Sequence, residues 1–402
     1  MKRWPVSALL VALSANVAFS VPEAEKLGSE NLDTERTTSA SGFDWKIWYT
    51  SDTNFLYSDP PEDYMSDINA AYLPGYIDTL SQRQDTDLGF RTYYVDSDPT
   101  FKVYCNDLEH WYDVSSSTYG VYNGYRIALS GPNLRTIYAD TREKLAATLA
   151  HEMFHGIQYK YLASSSYDWS GASISSVVGD WVIEGCAACM DDRWMSVRDG
   201  ATDGLSHHAR ARACLDETYV SLYDRVYDTA LFWSYCCEQL DSNLLEPERG
   251  YRFMRSLWQN IESELNSSNF SMTDAINRTI GDYDSQRNME DMFLDFSICN
   301  YLREFDVSLL SDGARYSYID EQSPNDAGAG PYSGSISKLG VTLPGGGSDT
   351  ARRYSPRYYR SSDVSSYSCK AVGFRFQSDE DLGAAVVAVN SNDQPFLISK
   401  GA

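Results

Sequence analysis

From Phe43 to about Ser130, apolar and polar positions alternate in short runs. Trp45-Lys46-Ile47-Trp48-Tyr49, Phe101-Lys102-Val103-Tyr104 and Tyr125-Arg126-Ile127-Ala128-Leu129 read as strands, because successive side chains of a strand point to opposite faces. Between the first two, roughly residues 64–84 carry a helical pattern. The period then lengthens. Thr141 to about Tyr161 is a long helical signal, with Asp140 and Glu143 spaced as a capping box at its start. Further helical patterns cover Trp181–Trp194, Tyr227–Leu240, Tyr251–Ile261 and Met289–Leu302. Residues 311–353 turn to Gly, Ser, Pro and Asp and read as a linker or loop. Beyond it, Cys369–Phe376 and Leu382–Val389 read as strands. The predicted fold class is α+β: one domain over 43–310 with a mostly helical second half, then a small β-rich C-terminal module over 354–402.

The first residues fit neither pattern. Met1-Lys2-Arg3, the apolar run Ala8–Leu13 and the small residues Ala18 and Ser20 read as a signal peptide over 1–20, cleaved after Ser20. Residues 21–42 are polar and read as a flexible leader or pro-segment. Ordered structure is expected from Phe43. No segment approaches the roughly 20 apolar residues of a membrane helix, so a secreted, extracellular protein is expected.

Composition narrows the partners. At 402 residues and 43% apolar content, the chain can fill a large core. Its formal charge of −24 opposes binding to nucleic acid or to anionic membranes. Eight cysteines in an exported chain favour disulfide bonds. Asn266, Asn269 and Asn277 each open a glycosylation triplet, relevant only in a eukaryotic host.

Candidate chemistry sits in the long central helix. His151-Glu152-Met153-Phe154-His155 places two imidazoles four residues apart, so both can reach one ion while the glutamate stands beside them. At 100° per residue, Ala146, Leu149, Ala150, Met153, Phe154 and Ile157 share one half of the helix, with Leu145 at the border. His151, Glu152 and His155 fall on the other half. A polar face of this kind opposite a broad apolar one looks like the wall of a cleft laid on a core. Hydrolytic zinc takes three protein ligands and leaves a position open for water. The next helix offers Glu184 in its first turns, with Asp180, Ala187, Ala188 and Asp191 on the same face. Either aspartate could orient a ligand imidazole. Cys186 and Cys189 form a rival pair, but they point to the opposite face, and an isolated Cys-x-x-Cys is a weak zinc signal.

His151 to Gln158, together with Trp181-Val182-Ile183-Glu184-Gly185-x-Ala187, resembles the gluzincin peptidases, the clan of thermolysin and the membrane alanyl aminopeptidases. More closely, the chain resembles a group of secreted bacterial metallopeptidases with His-Glu-x-x-His-x-x-Gln, a Glu-Gly-x-Ala-x-x-Met-Asp helix and a later Tyr-x-x-Ala-x-Phe-Trp helix, here Tyr227–Trp233. The likeness covers roughly residues 43–302 and is strongest over 141–240. It implies a zincin-like fold, one catalytic Zn2+ on His151, His155 and Glu184, and Glu152 as general base acting on a protein or peptide substrate. It also points to Tyr227 as the donor to the oxyanion, with His207 or His208 as alternatives. Tyr125–Leu129 is a candidate edge for pairing with an extended substrate. There are departures. The gap between His155 and Glu184 is long, implying an inserted loop near Ser164–Val178. Ala188 stands where thermolysin's Glu-x-x-x-Asp spacing calls for an Asp behind a ligand imidazole, and the aminopeptidases' Gly-x-Met-Glu-Asn is absent, which favours endopeptidase activity. Two other readings stay open: a catalytically silent extracellular binding protein, and a zinc hydrolase of non-peptide substrates.

Overall fold

The alternating segments come together as one mixed sheet. In the computed structural model, β2 (Phe43–Tyr49), β3 (Thr100–Asn106) and β5 (Arg126–Ser130) lie parallel. β1 (Thr34–Ala40) pairs antiparallel with β2, and β4 (Gly120–Tyr122) pairs antiparallel with β5, giving the order β1-β2-β3-β5-β4. The structure describes residues 34–40, 42–49, 67–91, 100–106, 108, 119–122, 126–130, 134, 139–199, 213–241, 250–302, 310–316, 318, 338–340, 353–360, 383–389 and 395–401. The expected signal peptide, the strand over Cys369–Phe376 and most of the Gly/Ser-rich stretch lie outside them.

The register explains the core. Ile47 faces Val103, which faces Ile127. Trp45, Phe101 and Leu129 join them on one fully buried face of the sheet. Against the sheet pack α1 (Asp67–Ser81), continued by a π-helical turn over Gln82–Asp87, and α2 (Ala139–Ala163). The wheel placed α2 correctly: Ala146, Leu149, Ala150, Met153, Phe154 and Ile157 are all buried, and Leu145 with them. The helix begins one residue before Asp140, so that residue lies inside the first turn and does not precede it.

Two expectations are corrected. A strand over Thr34–Ala40 precedes Phe43, inside the stretch expected to be a flexible leader. β1 reads Thr-Glu-Arg-Thr-Thr-Ser-Ala and buries no apolar side chain that would betray its period. It is held by backbone pairing and by Arg36 Nε donating to the Tyr49 hydroxyl at 3.0 Å. Nor is the strand expected at Tyr125–Leu129 an edge, because β5 is paired on both sides, and among the described residues the edge of the sheet on this side is the three-residue β4.

The helical half follows: α3 (Ile174–Val177), α4 (Asp180–Asp199), α5 (Ala230–Leu240), α6 (Tyr251–Leu265), α7 (Met272–Tyr283) and α8 (Met289–Leu302). α4 lies along α2 and is backed by α5. β6 (Lys338–Gly340) pairs with β7 (Tyr358–Arg360), and β8 (Ala384–Val389) forms a hairpin with β9 (Pro395–Gly401). A lone hairpin is marginal in water. This one rests Ala385, Val387 and Ile398 on Ile298, Leu302 and Tyr316, and Lys400 reaches the buried carboxylate of Asp295.

The expected disulfides do not form among the described residues. Cys105, Cys186, Cys214 and Cys236 are buried free thiols, and Cys189, Cys237 and Cys299 are buried as well. Small apolar thiols fill core space well. Burial pushes the Cys105 and Cys214 thiols up to about 12, and Cys186 well above its ordinary value with help from Cys189 and Cys236. Such groups are poor metal ligands and poor nucleophiles.

Candidate metal centre

α2 and α4 carry the polar residues that meet between them. His151 Nε2 lies 3.1 Å from Glu184 Oε2 and 3.1 Å from His155 Nε2, and His155 Nε2 lies 3.4 Å from the same carboxylate oxygen. Three ligands on a tetrahedral ion with bonds of roughly 2.0–2.1 Å are separated by about 3.3–3.4 Å. The observed triangle is close to that spacing. Two ring nitrogens facing each other share at most one proton between them, whereas a cation satisfies both lone pairs. His151, His155 and Glu184 can therefore hold a metal ion, and no other group of three His, Cys, Asp or Glu side chains does so among the described residues.

The face opposite the core is not open to solvent. His151, Glu152 and Glu184 are all about 95% buried, where α2 meets α4, β4 and the turn at Tyr227. They line a cavity whose other walls include Tyr122, Tyr159, Leu162, Ile174 and Tyr227. Ile174 and Ser175 come from the long segment between the two motif helices, which folds into α3. Ser173 caps it, accepting from Ser176 N while the Ser176 hydroxyl accepts from Ser173 N.

Electrostatics follow from the crowding of carboxylates. Burial opposes charge on His151. Donation from its ring N–H groups to the carboxylates of Asp191 and Glu184, with the charges of Glu152 and Glu184, outweighs it and pushes the imidazole up to about 10. His155 is raised too, its burial overcome by Glu184. Glu184 is driven far below the carboxylate range because the two imidazoles overcome its burial. Burial pushes Glu152 up, against the histidines and a hydrogen bond donated by the Tyr122 backbone N–H.

Of the two aspartates offered by the sequence, Asp191 is the one brought to the site, its Oδ2 lying 3.4 Å from His151 Nδ1. It lies two helical turns beyond Glu184 and so returns to the same face. Asp180 opens the first turn of α4. Tyr227 stands with its ring 5.7 Å from that of His151. His207 and His208 fall outside the described residues.

Tyr227 is placed by a close approach between helices. A Cβ on Gly185 would fall 2.0 Å from Thr229 Oγ1 and 2.9 Å from the Trp233 ring. In that gap the Thr229 hydroxyl and the Trp233 indole N–H both donate to the Trp181 carbonyl, at 2.7 and 3.0 Å. The Glu-Gly pair and the Tyr-x-x-Ala-x-Phe-Trp element are thus two halves of one contact.

Sequence reasoning missed Gly120 and the Tyr122 backbone. A Cβ on Gly120 would meet Glu152 Oε1 at 2.8 Å and Thr148 Cγ2 at 2.6 Å, but a three-residue strand leaves no periodic trace. It also left Gln158 without a role, although a residue three beyond His155 necessarily shares its face.

No protein-family model matches the chain, and no curated protein matches it. Among solved structures it is similar to the crystal structure of an aminopeptidase N family protein from Idiomarina loihiensis, at 13% identity and a TM-score of 0.43, over 69% of this chain and 51% of that one. The chain spans about half the length of that protein.

Proposed function

We propose that the chain is an exported zinc-dependent peptidase with a zincin-like catalytic domain, acting within protein or peptide chains. The observation that carries this reading is the meeting of His151, His155 and Glu184 at one point, in a cavity that also holds the Glu152 carboxylate. A non-enzyme has no evident use for a buried glutamate beside two such histidines. Zinc bound there supplies Lewis acidity, making a water more acidic and polarising the scissile carbonyl.

The chain's own residues do the rest. Glu152, raised by burial toward the range where a carboxyl both takes and gives a proton, accepts the proton of the attacking water and passes it to the leaving amine. The N–H of Tyr122 holds its carboxylate in place. The Tyr227 hydroxyl donates to the oxygen on which negative charge develops. β4, the strand edge beside the cavity, pairs with the substrate backbone, while Tyr159, Leu162 and Ile174 receive an apolar side chain.

Elemental analysis of the purified protein, with a mixed peptide library assayed before and after chelation, tests this. One zinc per chain, with cleavage stopped by chelator and restored by zinc, is expected. Zinc without cleavage would instead favour a catalytically silent binding protein or a hydrolase of other substrates, and a protein that takes up no zinc defeats the proposal.

A further inference from the structure

We infer that Gln158 is a positioning residue for the metal centre: it fixes which nitrogen His155 presents and ties the two ligand-bearing helices together. The inference rests on the zinc reading above. Gln158 is 2% exposed. Its Oε1 lies 2.7 Å from His155 Nδ1, and its Nε2 donates to the Ile183 carbonyl at 2.9 Å.

The assignment of the amide is forced. A backbone carbonyl only accepts, so the NH2 end must face Ile183 and the carbonyl oxygen must face His155. An oxygen at 2.7 Å from Nδ1 requires that nitrogen to carry a proton. The lone pair of neutral His155 is then on Nε2, the atom 3.1 Å from His151 Nε2 and 3.4 Å from Glu184 Oε2. On the other histidine, Asp191 Oδ2 stands near Nδ1 at 3.4 Å and favours the same choice. The two imidazoles are thus backed differently, one by a carboxylate from α4 and one by a carboxamide from their own helix.

The second hydrogen bond extends the role. Ile183 directly precedes Glu184, so the carbonyl held by Gln158 belongs to the residue beside the third ligand. One side chain therefore fixes the His155 ring and the height of α4 against α2. A methionine would fill nearly the same volume without either bond, so packing alone does not account for a buried amide here.

Zinc affinity of the full chain, measured by competition with a fluorescent chelator, tests this in Q158M and Q158E. The methionine variant loses both hydrogen bonds, and the glutamate variant keeps an acceptor for His155 Nδ1. Loss of such outer contacts weakens metal binding roughly 10- to 100-fold. That loss is expected in Q158M, with the share carried by the His155 contact recovered in Q158E, which lacks the donor to Ile183, so its affinity should fall between those of Q158M and wild type. A Q158M protein holding zinc within about threefold of wild type overturns the inference, and so does an equal loss in both variants, which would mark packing alone. Where Q158M does not fold, Q158E decides by its zinc dissociation rate: within about tenfold of wild type supports the role, and a faster one refutes it. A wild-type protein that binds no zinc refutes the zinc reading itself, a separate outcome.

Discussion

Gly185→Ala probes the contact that brings Tyr227 to the metal centre. The new methyl carbon would sit 2.0 Å from Thr229 Oγ1, well inside van der Waals contact. Thr229 is fully buried and cannot swing into solvent, and its single hydroxyl proton is held between the carbonyls of Trp181 and Val226, at 2.7 and 2.8 Å. Relief requires either giving up that hydrogen bond, at about 1 kcal/mol, or pushing α5 from α4, an overpacking cost of about 1–3 kcal/mol. A loss of about 1–3 kcal/mol is therefore expected. At roughly 2 °C per kcal/mol for a large domain, thermal melting should fall by about 2–6 °C. The double variant G185A/T229A removes the clashing oxygen, so its destabilisation should be smaller than the sum of the singles by at least about 1 kcal/mol. Denaturant unfolding of the four proteins reads this directly. A G185A protein within about 0.5 kcal/mol of wild type, or strict additivity, would refute the close-approach argument.

Further outcomes are expected at the site and at the Asp295 cluster. Glu152→Gln should keep zinc but lower peptide turnover by about 10²–10⁴-fold, and undiminished turnover would remove the base assignment. Because the carboxylates hold His151 protonated up to about 10, zinc must displace protons to bind, and its affinity should drop roughly 10- to 100-fold per pH unit on acidification; chelator competition giving a flat profile between about pH 6 and 9 would contradict this. The metal-free protein should behave oppositely: its raised histidine adds stability fully below about 6.5, lost as the pH climbs toward about 10. Asp295, 1% exposed, binds Arg287 at 2.6 Å and Arg315 at 3.2 Å as well as Lys400, so Asp295→Asn should cost about 3–5 kcal/mol in urea unfolding. Lys400→Ala should cost much less, since that side chain is one-third exposed; equal losses would count against a buried core to this cluster.

By itself, the chain's order of residues determined what one or two helical turns decide. His151, Glu152 and His155 share a face because of their spacing, and the same 100° rule separated Glu184 from Cys186 and Cys189. The apolar half of α2 was legible for the same reason, as were β2, β3 and the interior of β5. Tertiary structure alone decided everything that depends on how separate segments approach one another. Asp180 and Asp191 are equivalent on a wheel, yet only Asp191 reaches His151, because α4 lies along α2 at a height set by Gln158, Ile183 and the gap at Gly185. The polar β1 had no period to betray it, and the assignment of the edge to β4 depended on strand order. The cysteines had the even count of a disulfide-bonded chain but were drawn into the core, where seven thiols among the described residues are buried. Side-chain period is a property of one element and survives in sequence. Distances between elements come from the packing of the whole core, which no single segment records.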